Sequence, residues 1–132
     1  MKKQYYLLFI LSFVFIFSSC KKYDDGPVVS LLTKTARLTG EWDVEEIDGE
    51  YLTDVSAFIT FEKNGDFELS VQFNDYYYDD YIERGYWEWE SGKESVDVTV
   101  DGERQEYKIL RLTNDELWFE DEEREEWRCT KN

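Results

Sequence analysis

The sequence predicts an all-β domain: an eight-stranded antiparallel up-and-down barrel with a short N-terminal helix. Beyond residue 40 the apolar residues alternate with polar ones at period two. Turn signals such as Asp48-Gly49, Asn64-Gly65 and Asp101-Gly102 interrupt that alternation at hairpin intervals. Aromatic residues make up 18% of the chain, enough for a dense β core although 35% of residues are charged. Eight antiparallel strands close into a barrel whose interior is filled by side chains or holds one small ligand, and closure removes the exposed edges.

The chain begins with the layout of an export signal over residues 1–19. Lys2 and Lys3 precede an apolar run, residues 5–17, broken only by Ser12, and no acid occurs before Asp24. That run is shorter than the roughly 18–20 residues a membrane-spanning helix needs. Phe17-Ser18-Ser19-Cys20 resembles the bacterial lipobox, with Phe17 where leucine is usual. The resemblance implies cleavage before Cys20, lipidation of its thiol, and acyl chains such as palmitate at the new N-terminus. Each buried methylene contributes about 0.8 kcal/mol, so several acyl chains anchor firmly. The expected location is therefore the outer membrane, lipid-anchored at Cys20 and either periplasm-facing or on the cell surface. Residues 20–27 read as the lipidated cysteine and a polar tether, since charge, Gly26 and Pro27 disfavour regular structure. Asp24 and Asp25 are either part of a surface-export address or simply a solvated linker.

The barrel domain spans residues 28–132. Residues 28–38 place Val28, Leu31, Leu32, Thr35, Ala36 and Leu38 at near-helical spacing, with Ser30 as N-cap and Gly40 beyond the end. Strands follow at about 40–47, 58–62 and 67–73, the last alternating Phe67, Leu69, Val71 and Phe73 with polar residues. Asn64-Gly65 between them is expected to form a type I′ turn. A loop over residues 74–82 leads to a strand at about 86–90. Further strands are expected at 96–100, 104–112, 117–119 and 124–130. Within 104–112, Tyr107 and Ile109 point one way and Leu110 and Leu112 the other, which a β-bulge reconciles.

Composition narrows function. Removing residues 1–19, with two lysines and no acid, takes the formal charge from −16 to −18. Such a charge repels nucleic acid and anionic lipid, so nucleic acid is not an expected partner and the acyl anchor alone holds the membrane. The absence of histidine removes Ser–His–Asp and Cys–His catalysis and the commonest zinc ligand. No enzyme activity and no cofactor are expected. With Cys20 acylated, Cys129 has no intramolecular disulfide partner and reads as a buried strand residue. Glu88 and Glu90 share the face opposite Trp87 and Trp89, where solvent is their expected surrounding, and no Asp-x-Asp-x-Asp-Gly calcium loop is present, so no metal site is expected.

The motif Leu38-Thr39-Gly40-Glu41-Trp42 resembles the Leu-x-Gly-x-Trp opening of lipocalin-like domains in lipoproteins of Gram-negative bacteria. Residues 61–67, 85–89 and 109–117 resemble, in order, that family's second hairpin, central strand and late hairpin. The resemblance implies that Trp42 is structural, packing at the closed end of the barrel against the helix, and that the interior tends to bind apolar molecules. It transfers no particular ligand.

Tyr76, Tyr77, Tyr78 and Tyr81 crowd the 74–82 loop beyond what a turn requires. Tyrosine offers rigid apolar area with a polar tip, suited to ligand or protein contact. The same residues also suit a lid packed on the barrel's own rim. Trp87 and Trp89 are candidate ligand contacts within the barrel, or bulk that fills it. Two functions follow: a lipid-anchored protein binding a small apolar or amphipathic ligand, or a ligand-free module presenting the tyrosines to a protein or glycan. An interior pocket of about 300 Å³ or more marks the first.

Overall fold

The computed structural model describes residues 32–132. The expected signal segment, Cys20, the tether and residues 28–31 of the expected helix lie outside the described residues. Helix α1 is Lys34–Leu38, shorter than expected, and its N-cap is Thr33 and not Ser30. The Thr33 hydroxyl accepts the Ala36 N–H at 3.1 Å, so the helix starts just after it. Leu32 ahead of the cap lies in a bend and is exposed, so the apolar spacing does not extend the helix there.

Among the described residues nine strands follow. They are β1 (Gly40–Ile47), β2 (Glu50–Tyr51), β3 (Val55–Phe61), β4 (Asp66–Phe73), β5 (Tyr81–Trp89), β6 (Ser95–Val100), β7 (Glu103–Leu112), β8 (Glu116–Glu120) and β9 (Glu126–Lys131). Every pairing is antiparallel, and apart from β2 the strand order follows the chain. Pairing of β1 with β9 closes the barrel. The two-residue β2 only extends the end of β1 through the Asp48-Gly49 hairpin, so eight strands form the wall.

Local chemistry accounts for the corners. Asp48 and Gly49, like Asp101 and Gly102, both take positive φ, the requirement of a type I′ turn. The Asn64-Gly65 turn departs from that expectation, because only Gly65 is left-handed. Its N–H returns to the Glu62 carbonyl at 3.1 Å, while the Asn64 side-chain oxygen accepts the Asp66 N–H. That side-chain acceptor removes the need for Asn64 to enter the left-handed region. The register slips between Ile109 and Arg111, so Leu110 is the bulge that brings Ile109 and Leu112 to the same interior.

Inward positions form an apolar column from the helix end through the middle of the barrel, and the two ends differ. At the helix end Leu38, Trp42, Phe61, Val96, Leu117 and Cys129 are essentially solvent-free. The Trp42 indole N–H donates to the Leu38 carbonyl at 2.8 Å, which fastens helix to wall. Lys131 donates to the Arg37 and Thr39 carbonyls with its ammonium 4.3 Å from the Trp42 ring centroid. The helix is therefore a plug. The opposite end, where β1, β4, β6 and β8 finish, has no such cover.

Candidate functional site

The open end is built by five connections: residues 48–49, 52–54, 74–80, 101–102 and 121–125. They carry ten carboxylates and one cation, Arg124. At the plugged end, α1 and the connections 62–65, 90–94 and 113–115 carry four acids and four bases. The charge of the domain is thus concentrated around its mouth.

Strand register decides what points into that mouth. Leu69 pairs with Glu83, Val98 with Gln105, and Val100 with Glu103. Cross-strand partners share a face, so Glu83, Gln105 and Glu103 face the interior with those apolar residues. They border a hollow of about 160 Å³ walled by Phe67, Val98, Val100 and Tyr107, with Asp101 at its lip. Tyr107 stacks on Phe119 at 4.6 Å, and Phe119 on Trp127 at 5.6 Å, giving the mouth a ladder of three rings. Burial, then the charges of Asp121, Glu83 and Glu122, push the Tyr107 phenol up to about 12, so it stays a neutral donor across the physiological range. The interior hollow is smaller than a 300 Å³ ligand pocket, because aromatic bulk fills most of the barrel.

A larger hollow of about 630 Å³ sits on the rim against Val55 and Phe73, bordered by Asp54, Asn74, Asp75, Tyr76 and Tyr78. The structure divides the tyrosines. Tyr78 and Tyr81 lie over Phe73, with ring centroids 5.4 and 6.2 Å away. Tyr76 and Tyr77 meet edge to face at 6.3 Å and are 99% and 88% exposed, so they project from the domain and do not cover it. Tyr81 belongs to β5 and not to the loop. The loop is nevertheless held: Asp80 accepts the Phe73 N–H at 2.8 Å and Asp75 the Tyr77 N–H at 3.1 Å.

Trp87 and Trp89 do not join the tyrosines. They sit at the plugged end, where Trp87 donates to the Glu62 carbonyl at 2.9 Å and Trp89 to the Thr35 hydroxyl at 3.0 Å. The reason is position along β5: Tyr81 opens that strand at the mouth and Trp89 closes it beside the helix. Trp87 packs edge to face on Phe61 and on Trp89, at 5.7 and 6.2 Å, so both indoles contribute bulk at that end of the barrel. Trp42 is fully buried beneath α1. Cys129 is also buried, and burial, then Asp43 and Glu45, push its thiol well above the usual range. Glu88 and Glu90 are exposed. Among the described residues no group of three or more metal-ligating side chains is placed to hold an ion.

Glu83, Glu103 and Gln105 were absent from the sequence reading. Stepping back by two from Trp87 gives Gly85 and Glu83, and from Tyr107 gives Gln105 and Glu103. That parity was the available signal.

No family model matches the chain, and no curated protein matches it in sequence. Solved structures do. A lipocalin-like protein from Bacteroides uniformis superposes with a TM-score of 0.58 at 14% identity, over 73% of this chain and 99% of that one. An uncharacterized protein from Bacteroides eggerthii gives 0.56 at 15% identity, over 72% and 99%. The fold is lipocalin-like, a closed eight-stranded barrel with a short helix.

Proposed function

We propose that the chain is a lipid-anchored protein of the cell envelope that takes a small apolar or amphipathic ligand at the open mouth of its barrel, without catalysis. The observation that carries this reading is the asymmetry of the two ends. Both the interior hollow and the 630 Å³ rim hollow open where the plug is absent, and both combine aromatic or aliphatic walls with a few polar groups. The described chain enters at the plugged end, next to α1.

Two measurements test this. Cys20→Ser should move the protein from the membrane to the soluble fraction; unchanged membrane association defeats the anchor. Wild-type protein should bind members of a panel of fluorescent fatty-chain amphiphiles, haem and oligosaccharides, and should bind them more weakly after Tyr78→Ser and Tyr81→Ser, which bare the rim. A second reading, a module that docks a protein or glycan, is favoured by the projection of Tyr76 and Tyr77 into solvent. Wild-type protein that binds no panel member transfers the assignment to it.

A further inference from the structure

The interior hollow has a chemistry that narrows the ligand class, given the mouth-binding reading above. Glu83 and Glu103 occupy inward positions that strand alternation reserves for apolar residues, and Asp101 closes the lip beside them. None of the three is ion-paired among the described residues. The neighbouring arginines are engaged on the outer face of the wall, Arg84 with Glu68 and Arg104 with the buried carboxylate of Asp97. No lysine or arginine lines this hollow or either rim hollow, the second being about 350 Å³ beside Ile47, Tyr51 and Glu125. The walls facing the carboxylates are the rings of Phe67 and Tyr107. Carboxylates without cations, set against aromatic walls in a recess, supply charge attraction and ring attraction to the same guest. They repel a carboxylate or phosphate head.

We infer that the interior hollow takes a small organic cation, an ammonium group seated between Glu83 and Glu103 with its apolar body against Phe67 and Tyr107. Fatty-acid and other anionic heads are excluded from it. The volume of about 160 Å³ suits a compact amine and not a long chain.

The test uses three probes that share one body: phenethylammonium, 2-phenylethanol and 3-phenylpropionate. Each is titrated into the full chain in non-ionic detergent by calorimetry, with saturation-transfer NMR as a second readout. Phenethylammonium should bind about tenfold or more tighter than the alcohol, a difference near 1.4 kcal/mol, and the carboxylate should not bind. Added salt should weaken the cation alone. The isosteric double variant Glu83→Gln/Glu103→Gln, at exposed positions where folding is not at stake, should erase the cation's advantage. Equal binding of cation and alcohol, unchanged in the double variant, overturns the charge inference and leaves mouth binding standing. Binding of none of the three, while fluorescent amphiphiles still bind, overturns this inference alone. Failure of both sets overturns the underlying reading as well.

Discussion

At the helix end of the barrel three indole N–H groups, those of Trp42, Trp87 and Trp89, each reach an acceptor across a chain connection, and a lysine ties down the last carbonyls of the plug. At the mouth one indole does so, Trp127 to Asp121, and the surrounding connections are crowded with carboxylates that have no ion-pair partner among the described residues. The same eight strands run through both ends, so the difference does not come from the sheet. It comes from which inward positions are apolar and which connections carry charge. Packing and directed hydrogen bonds at one end let the other tolerate exposed aromatics and like-charge repulsion, which is the condition for an accessible binding surface.

The plugged end is where substitution should do most damage. Trp42→Ala removes a fully buried indole and its bond to Leu38, and should destabilise the domain by about 3–5 kcal/mol in urea denaturation. A loss under about 1 kcal/mol would show that the plug is not what holds this end. Lys131→Met removes the ammonium from the Arg37 and Thr39 carbonyls and from the Trp42 ring, for an expected cost of about 1–3 kcal/mol. Hydrogen exchange should localise that loss to α1 and the start of β1. Uniform loss across the barrel would mean that Lys131 supports the sheet and not the plug.

How far the sequence discloses this contrast depends on the end. The strong alternation of Phe67 to Phe73, the two Asp-Gly corners and the mixed parity around Leu110 make the wall readable, bulge included. Trp42 is readable because its motif and the helix that covers it are neighbours in the chain. The mouth is harder, and β5 shows why. In its first half the polarity is inverted: Glu83 and Gly85 face inward, whereas Ile82 and Tyr86 face out and are 50% and 63% exposed. A Cβ on Gly85 would lie 1.9 Å from the Thr99 carbonyl oxygen, so glycine there is a requirement of close strand approach and not a loop signal. Hydrophobic patterning assigns such a segment to a loop, which puts Tyr81 outside the strand and hides the inward position of Glu83. The acidic interior breaks the pattern because those positions are not used for packing.

Within the mouth the tyrosines sharpen the comparison at a smaller scale. Tyr78→Ser and Tyr81→Ser together uncover Phe73 and should cost about 1–2 kcal/mol, each aromatic contact contributing about 0.5–1.5. Tyr76→Ser and Tyr77→Ser should change stability by no more than about 0.5 kcal/mol, as surface substitutions do. Thermal melts of the two double variants, run side by side, test the division; equal losses would return all four tyrosines to a single lid.

The smallest expected effect is also the one that separates the two ends electrostatically. In the mouth, burial first and then Asp121, Glu123 and Asp48 hold the Glu125 carboxyl above its ordinary value of 4.5. On the outer wall, burial and then Glu45 and Glu41 do the same to Asp43, whose ordinary value is 3.8. A carboxyl raised in the folded state keeps its proton where the unfolded chain has released it, so the folded state binds more protons across that window. Stability then rises as pH falls from neutrality through the raised values, and this gain levels off at the ordinary carboxylate range. Urea midpoints at low salt should therefore increase modestly as pH falls from neutrality toward the ordinary carboxylate range. Added salt at pH 7 should reproduce part of the gain by screening the same repulsion. Glu125→Gln should raise the midpoint at pH 7 and blunt its rise on acidification, whereas Lys131→Met should lower the midpoint without altering that slope. A midpoint that falls steadily from neutrality to the ordinary carboxylate range would mean that attractive pairs outweigh mouth repulsion, and that the acidic rim is not the strained part of the molecule.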